Sequence, residues 1–216
     1  MRKLAYVSII LGIIIMLFPT VNEWMENQKQ KELLQEAESL SNTDKSTLTP
    51  EMIKGYTQLS SWLTNTAAAD GSQSSETTSS SSAEEPAPIA TIQIDRIGLE
   101  LPVLEGATRD HMRYAAVHMS ETAALGQVGN AAIAAHRSRT TGRLFNRLNE
   151  VKIGDQILIH TRSEKYLYKV YNISIVAPSN VSVLKSSKEK KLLTLITCDP
   201  LVNPTHRLIV HAKQLS

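Results

Sequence analysis

The chain has 216 residues, 42% hydrophobic and 5% aromatic, and its 23 basic and 21 acidic side chains leave a net charge of +2. That length allows one domain with an appendage, or two small domains. Near-neutral charge and scarce aromatics argue against nucleic acid as a partner, because such binders carry a basic stripe with aromatics between the charges.

In chain order, Met1-Arg2-Lys3 is a short basic start, and Leu4 to Phe18 is unbroken by charge. With Pro19 to Val21 this makes about 18 residues, the lower edge of what spans a bilayer core. A cleaved signal peptide is the other reading, but Phe18 to Glu23 lacks a small-residue cleavage site. Trp24 stands where an interfacial anchor would, and Arg2 and Lys3 favour a cytoplasmic N-terminus. The expectation is a single-pass anchor over 1–24 with everything after it exported. Residues 25–88 are expected to be a helical and low-complexity extracytoplasmic linker. Within it, 22–41 favours a short helix. Thr49-Pro50-Glu51 reads as a second helix start, with a capping Thr and Pro at the first helical position. Met52, Ile53, Tyr56, Leu59 and Leu63 then form a stripe with helical spacing. That stripe has two readings: a helix packed on a neighbouring element, or a surface-bound or regulatory appendage. Asn65 to Pro88 is rich in Ala, Ser, Thr and Glu and cannot repay its ordering entropy, so it reads as a flexible linker.

A compact domain is expected over 89–216. Ile89–Leu99, Ala131–Ala135, Gln156–Thr161, Lys165–Val176, Leu192–Thr197 and Arg207–Ala212 read as strands, with a single helical turn over Leu144–Leu148. Turn signals fall at Gly126–Asn130, Gly154-Asp155 and Pro178–Asn180. Seven or eight strands with little helix indicate an all-β barrel or sandwich. The densest basic run, Lys185 to Lys191, is broken by Glu189 and reads as a solvated loop.

Three polar residues stand at strand ends: His136 after Ala131–Ala135, Cys198 after Leu192–Thr197, and Arg207 at the start of the last strand. Cys198 is the only cysteine. It forms no intramolecular disulfide, and is either a small buried apolar residue or a reactive thiol. A thiolate attacks a carbonyl, a histidine protonates the departing amine, and an arginine stabilises the oxyanion. Two nearby cations also lower a thiol's pKa. No cluster has metal-ligand spacing, so no metal or other cofactor is expected.

Thr194-Leu195-Ile196-Thr197-Cys198, followed nine residues later by Arg207 in His206-Arg207-Leu208-Ile209-Val210, resembles the signature of the sortases, the cysteine transpeptidases of Gram-positive cell surfaces. Leu101-Pro102-Val103 before Gly106, Gly126-Gln127-Val128-Gly129-Asn130 leading to Ala134-Ala135-His136-Arg137-Ser138, Gly142-Arg143-Leu144-Phe145, and Val151-Lys152-Ile153-Gly154-Asp155 follow in the family's order. The resemblance covers about residues 89–213. It implies a closed β-barrel of seven to eight strands with short helices. By the same resemblance Cys198 is the nucleophile, His136 the general acid and base, and Arg207 the oxyanion-stabilising and substrate-orienting residue. Thr197 would help position the peptide, and Val181, Val183 and Leu184 of the loop from Pro178 to Lys191 would line its groove. Many relatives have Gly before the histidine, where this chain has Ala135. His118 aligns with a region that often carries a second histidine; a structural, hydrogen-bonded role is its other reading. His206 adjoins Arg207 and would line the cleft, while His111, His160 and His211 read as structural or exposed. Calcium through acidic loops (Glu105, Asp110 or Glu150) is a lesser expectation from the same resemblance.

The implied substrates are secreted proteins with a C-terminal Leu-Pro-x-Thr-Gly-like signal, cleaved after Thr and passed to a cell-wall precursor amine of the lipid II kind. With one anchor and no evident lid motif, a class A or D-like anchoring enzyme is expected. Two rivals stay open: a cysteine peptidase that hydrolyses the same acyl-enzyme, and a non-catalytic, stalked β-barrel binding module with an inert Cys198.

Overall fold

In the computed structural model, the structure describes residues 29–30, 49–67 and 87–215. The expected anchor over 1–24, most of the 22–41 helix and the linker over 68–86 lie outside the described residues.

The alternating apolar sequence after residue 89 forms eight strands: β1 (Ala90–Ile94), β2 (Leu99–Glu105), β3 (Ala116–His118), β4 (Gly129–Ala134), β5 (Gln156–Thr161), β6 (Lys165–Val176), β7 (Lys191–Asp199) and β8 (His206–Gln214). They close into a barrel in the order β1-β2-β3-β4-β7-β8-β6-β5, so the sandwich alternative does not hold. The pairs β2–β3 and β4–β7 are parallel and the others antiparallel. The expected strand over Ile89–Leu99 is broken. A 3-10 turn, Asp95–Ile97, ends in Gly98 at φ 58, and this left-handed residue reverses the chain into β2. The expected helical turn over Leu144–Leu148 begins instead as a bridge from Leu144 to Arg137 and becomes a 3-10 turn only at Leu148–Glu150. Strand β3 is too short to show alternation in the sequence.

Strand periodicity divides the buried side chains into two cores. Ala131, Ile133 and Ala135 beside β4, Leu193 and Leu195 of β7, and Leu208, Val210 and Ala212 of β8 join the main core with residues from β1, β2, β5 and β6. The intervening residues Ala132, Ala134, Ile196, Cys198 and Ile209 point to the opposite face and belong to a second cluster. That face is covered by helix α1 (Pro50–Ala67) and by the 3-10 turn Val181–Leu184.

Helix α1 starts as its sequence prescribes. Thr49 Oγ1 accepts from the Met52 amide at 3.4 Å, and Pro50 fills a position whose missing N–H costs nothing. Met52, Tyr56, Leu59 and Leu63 are all at most 1% exposed, whereas Ile53, expected in the same stripe, is 46% exposed. Burying four such side chains contributes roughly 6–12 kcal/mol before ordering entropy is subtracted. The helix is therefore packed on the barrel, and what it packs on is the candidate site.

Candidate active site

Strands β7 and β8 place Cys198 directly opposite Arg207 in their antiparallel register. On the other side, β4 runs parallel to β7 with Ala134 beside Ile196. Continuing that register by two residues sets His136 alongside Cys198. The Ala135 amide donates to the Ile196 carbonyl at 3.2 Å, and Arg137 Nη1 donates to the Cys198 carbonyl at 3.4 Å, so the alignment holds past the strand end. Cys198 and Arg207 thus lie on adjacent strands, with His136 two residues past the end of the next, β4. By parity they share the barrel's outer face.

Thr197 falls on the opposite parity. It is fully buried, and its hydroxyl donates to the Ala135 carbonyl at 2.8 Å. Its contact is with the backbone just before His136, tying β7 to β4 rather than facing the cleft. Val183 and Leu184 are buried in the same apolar cluster as Cys198, with half-buried Val181 packed against it. The loop residues expected to line a groove therefore form one wall beside the thiol.

Helix α1 lies over this face. Cys198 Sγ donates to the Leu63 carbonyl at 3.2 Å and is 2% exposed. Arg207 is fully buried: Nη2 donates to the Ser60 carbonyl at 2.5 Å, Ser60 Oγ at 2.9 Å and Thr64 Oγ1 at 2.6 Å, while Nη1 donates to the His206 carbonyl at 2.9 Å. All these acceptors are neutral oxygens, and among the described residues Nε has no hydrogen-bond partner. Among the described residues no carboxylate forms an ion pair with this buried guanidinium.

The protonation states follow from burial. The Cys198 thiol is pushed up, mainly by desolvation, against the opposing pull of Arg207 and Arg137. Desolvation lowers the His136 imidazole to about 4. With α1 seated, burial favours the neutral form of both groups.

Sequence reasoning passed over several residues that the fold brings to the site. Arg137, quoted only as part of a motif, bonds Asp199 Oδ1 at 2.6 Å as well as the Cys198 carbonyl, locking the strand ends beside the thiol. Ser60, Leu63 and Thr64 are ordinary helix residues whose contacts only tertiary structure reveals. Tyr56, under Arg207's electrostatic influence, has its hydroxyl pushed up to about 12 by burial.

The remaining candidates take other places. His118 is 4% exposed, with Nδ1 at 2.9 Å from Glu105 Oε2 and Nε2 at 2.9 Å from the Ala123 carbonyl, a bonded position within the wall. His206 lies opposite Asp199 and is exposed, with Nδ1 at 2.9 Å from Thr205 Oγ1. His111 Nδ1 sits 3.0 Å from the Gly106 carbonyl. Of the acidic residues considered for calcium, Glu105 faces His118 and Glu150 is held by both ends of the Arg147 guanidinium, at 2.8 and 2.7 Å. Among the described residues no three His, Cys, Asp or Glu side chains cluster as a metal site would require.

Sortase A of Streptococcus agalactiae is 33% identical over 130 residues, 58% of this chain and 52% of that protein. Sortase D of Bacillus subtilis is 26% identical over 128 residues, 58% of this chain and 63% of that protein. The matched region thus spans about half to three-fifths of these relatives' length. Among solved structures, a sortase D5 transpeptidase of Clostridium perfringens superposes with a TM-score of 0.55 at 32% identity, covering 60% of this chain and 79% of the other. Residues 92–215 match the Sortase domain family, and the chain belongs to the sortase family.

Proposed function

We propose that this protein is a membrane-anchored cysteine transpeptidase that cleaves a Leu-Pro-x-Thr-Gly-like signal after Thr and transfers the protein to a cell-wall amine. The observation that carries the reading is Cys198 opposite Arg207 across β7 and β8, with His136 two residues beyond the end of β4, whose Ala134 pairs with Ile196 of β7.

In this reading, Cys198 Sγ attacks the Thr carbonyl carbon. The thiol proton passes by way of His136 to the glycine nitrogen as the C–N bond breaks, leaving a thioester on Cys198. An incoming amine then attacks the thioester carbon, gives up a proton through His136, and restores the thiol. Each addition places negative charge on the carbonyl oxygen. Arg207 suits that charge: among the described residues its cation is buried against neutral acceptors, in surroundings where an added anion interacts strongly. The partners in this reading are secreted proteins bearing the sorting signal and a lipid II-like amine, on the outer side of the membrane to which residues 1–24 tether the domain. The reading needs no cofactor.

The buried thiol also fits the non-catalytic reading. What buries it, however, is α1 laid over the outer face, and the barrel's own core lies on the other side of the sheet.

The test is to incubate the full-length protein with a fluorogenic Leu-Pro-x-Thr-Gly peptide, with and without oligoglycine or a diaminopimelate-like amine, beside Cys198→Ala. Amine-dependent ligated product that disappears in the variant is expected. Cleavage that ignores the amine would assign the hydrolytic alternative. An absence of both reactions across several signal peptides, even after the helix is displaced, would overturn the enzyme reading.

A further inference from the structure

The outer face that carries Cys198, Arg207 and His136 at one end carries a second polar cluster at the other. Asn130, Thr194 and His211 have the same strand parity as His136, Cys198 and Arg207, on the same three strands. Asn130 is 2% exposed. Its Nδ2 donates to the Val183 carbonyl at 3.1 Å and the Lys185 carbonyl at 3.3 Å, and its Oδ1 accepts from Thr194 Oγ1 at 2.7 Å. Two carbonyls on one side and a hydroxyl on the other fix the amide's orientation. Thr194 Oγ1 also lies 3.0 Å from His211 Nδ1 and 3.5 Å from the Val183 carbonyl. The two Asn130 Nδ2 bonds grip the backbone on either side of Leu184, and Thr194 fixes the amide that makes them. The turn they hold places Val183 and Leu184 in the apolar cluster with Cys198.

We propose that Asn130, oriented by Thr194, is a positioning residue for substrate: it sets the height of the Val181–Leu184 wall against which a peptide at Cys198 rests. This rests on the transpeptidase reading. Asn130 lies six residues from His136 along β4, about 20 Å, too far to touch the reacting atoms, so its effect falls on peptide binding. In Asn130→Ala and Thr194→Val, KM for the sorting peptide is expected to rise about tenfold with kcat changed less than about threefold. Thr194→Ser, which keeps the hydroxyl, restores the parent KM. Amide hydrogen exchange over 178–190 is expected to quicken in Asn130→Ala and Thr194→Val but not in Thr194→Ser. An unchanged KM, or unchanged exchange over 178–190, overturns the proposal. If neither the parent nor a Leu59→Lys, Leu63→Lys variant that displaces α1 turns over peptide, the transpeptidase reading fails and takes the substrate role with it, while exchange still reports whether Asn130 holds the loop.

Discussion

The Cys198 thiol and the Leu63 carbonyl, 135 residues apart in the chain, meet at 3.2 Å. This contact seals the thiol in its neutral form, because burial pushes the thiol up and the helix supplies an acceptor but no positive charge. The alkylation rate of the parent protein is therefore expected to climb only at alkaline pH. In a helix-displaced variant, solvent returns while Arg207 and Arg137 remain, so the inflection moves to lower pH. Rates of iodoacetamide labelling from about pH 5 to 10 measure both. An identical profile in the two proteins would contradict this account of the seal.

His136 links stability to pH. Its ordinary value is 6.5 and desolvation lowers it to about 4 in the folded chain, so between these values the unfolded state binds more protons. Stability is fully present above pH 6.5 and is lost as pH falls towards 4, by up to about 3 kcal/mol from this group. Urea denaturation at stepped pH should show this slope in the parent and a flatter one in His136→Gln.

Arg207 differs from an ordinary surface cation because two of its guanidinium nitrogens are engaged in fixed directions within the buried wall. Arg207→Lys retains the charge and loses the planar fork. Turnover is expected to drop by about 10²- to 10³-fold, the scale for removing an oxyanion stabiliser. Steady-state kinetics on the sorting peptide check this, and near-parental kcat in the lysine variant would argue against an orienting role.

Tyr56 places a buried hydroxyl in α1's packed face with no hydrogen-bond partner among the described residues. Tyr56→Phe removes that hydroxyl and keeps the ring, so the seated helix is expected to gain about 1 kcal/mol. Thermal unfolding should move upward by a few degrees, with Cys198 labelling slower than in the parent.

Gly126 turns the chain into β4 at φ +77, and its amide donates to the Tyr168 hydroxyl at 3.0 Å. A Cβ built there would lie 2.2 Å from the Tyr166 ring. Gly126→Ala is expected to cost at least about 2 kcal/mol through combined clash and left-handed strain, measurable as a lower urea midpoint.

Much of this protein is written locally in its sequence. Strands β5 and β6 have the boundaries that their alternation predicts, because side chains on successive residues face opposite sides of a sheet whatever the fold. Thr49-Pro50 starts α1 for an equally local reason: hydroxyl capping and proline's fixed φ need no distant partner. That Cys198, His136 and Arg207 stand at strand ends is legible from the apolar runs beside them, since those runs mark the strands. The three-residue β3 was not, being too short for a period, and neither was the break at Gly98, where one left-handed residue outweighs the apolar run around it.

Tertiary structure alone decided which face each residue serves. Parity sends the Thr197 hydroxyl to Ala135 and Cys198 to the cleft, and only barrel closure tells which parity is outside. The partners of the helix stripe were also beyond reach, because an amphipathic pattern states that a face will be buried without saying against what. Here it is buried against the thiol, the guanidinium and the loop wall, and hydrogen bonds between residues more than a hundred positions apart fix that choice.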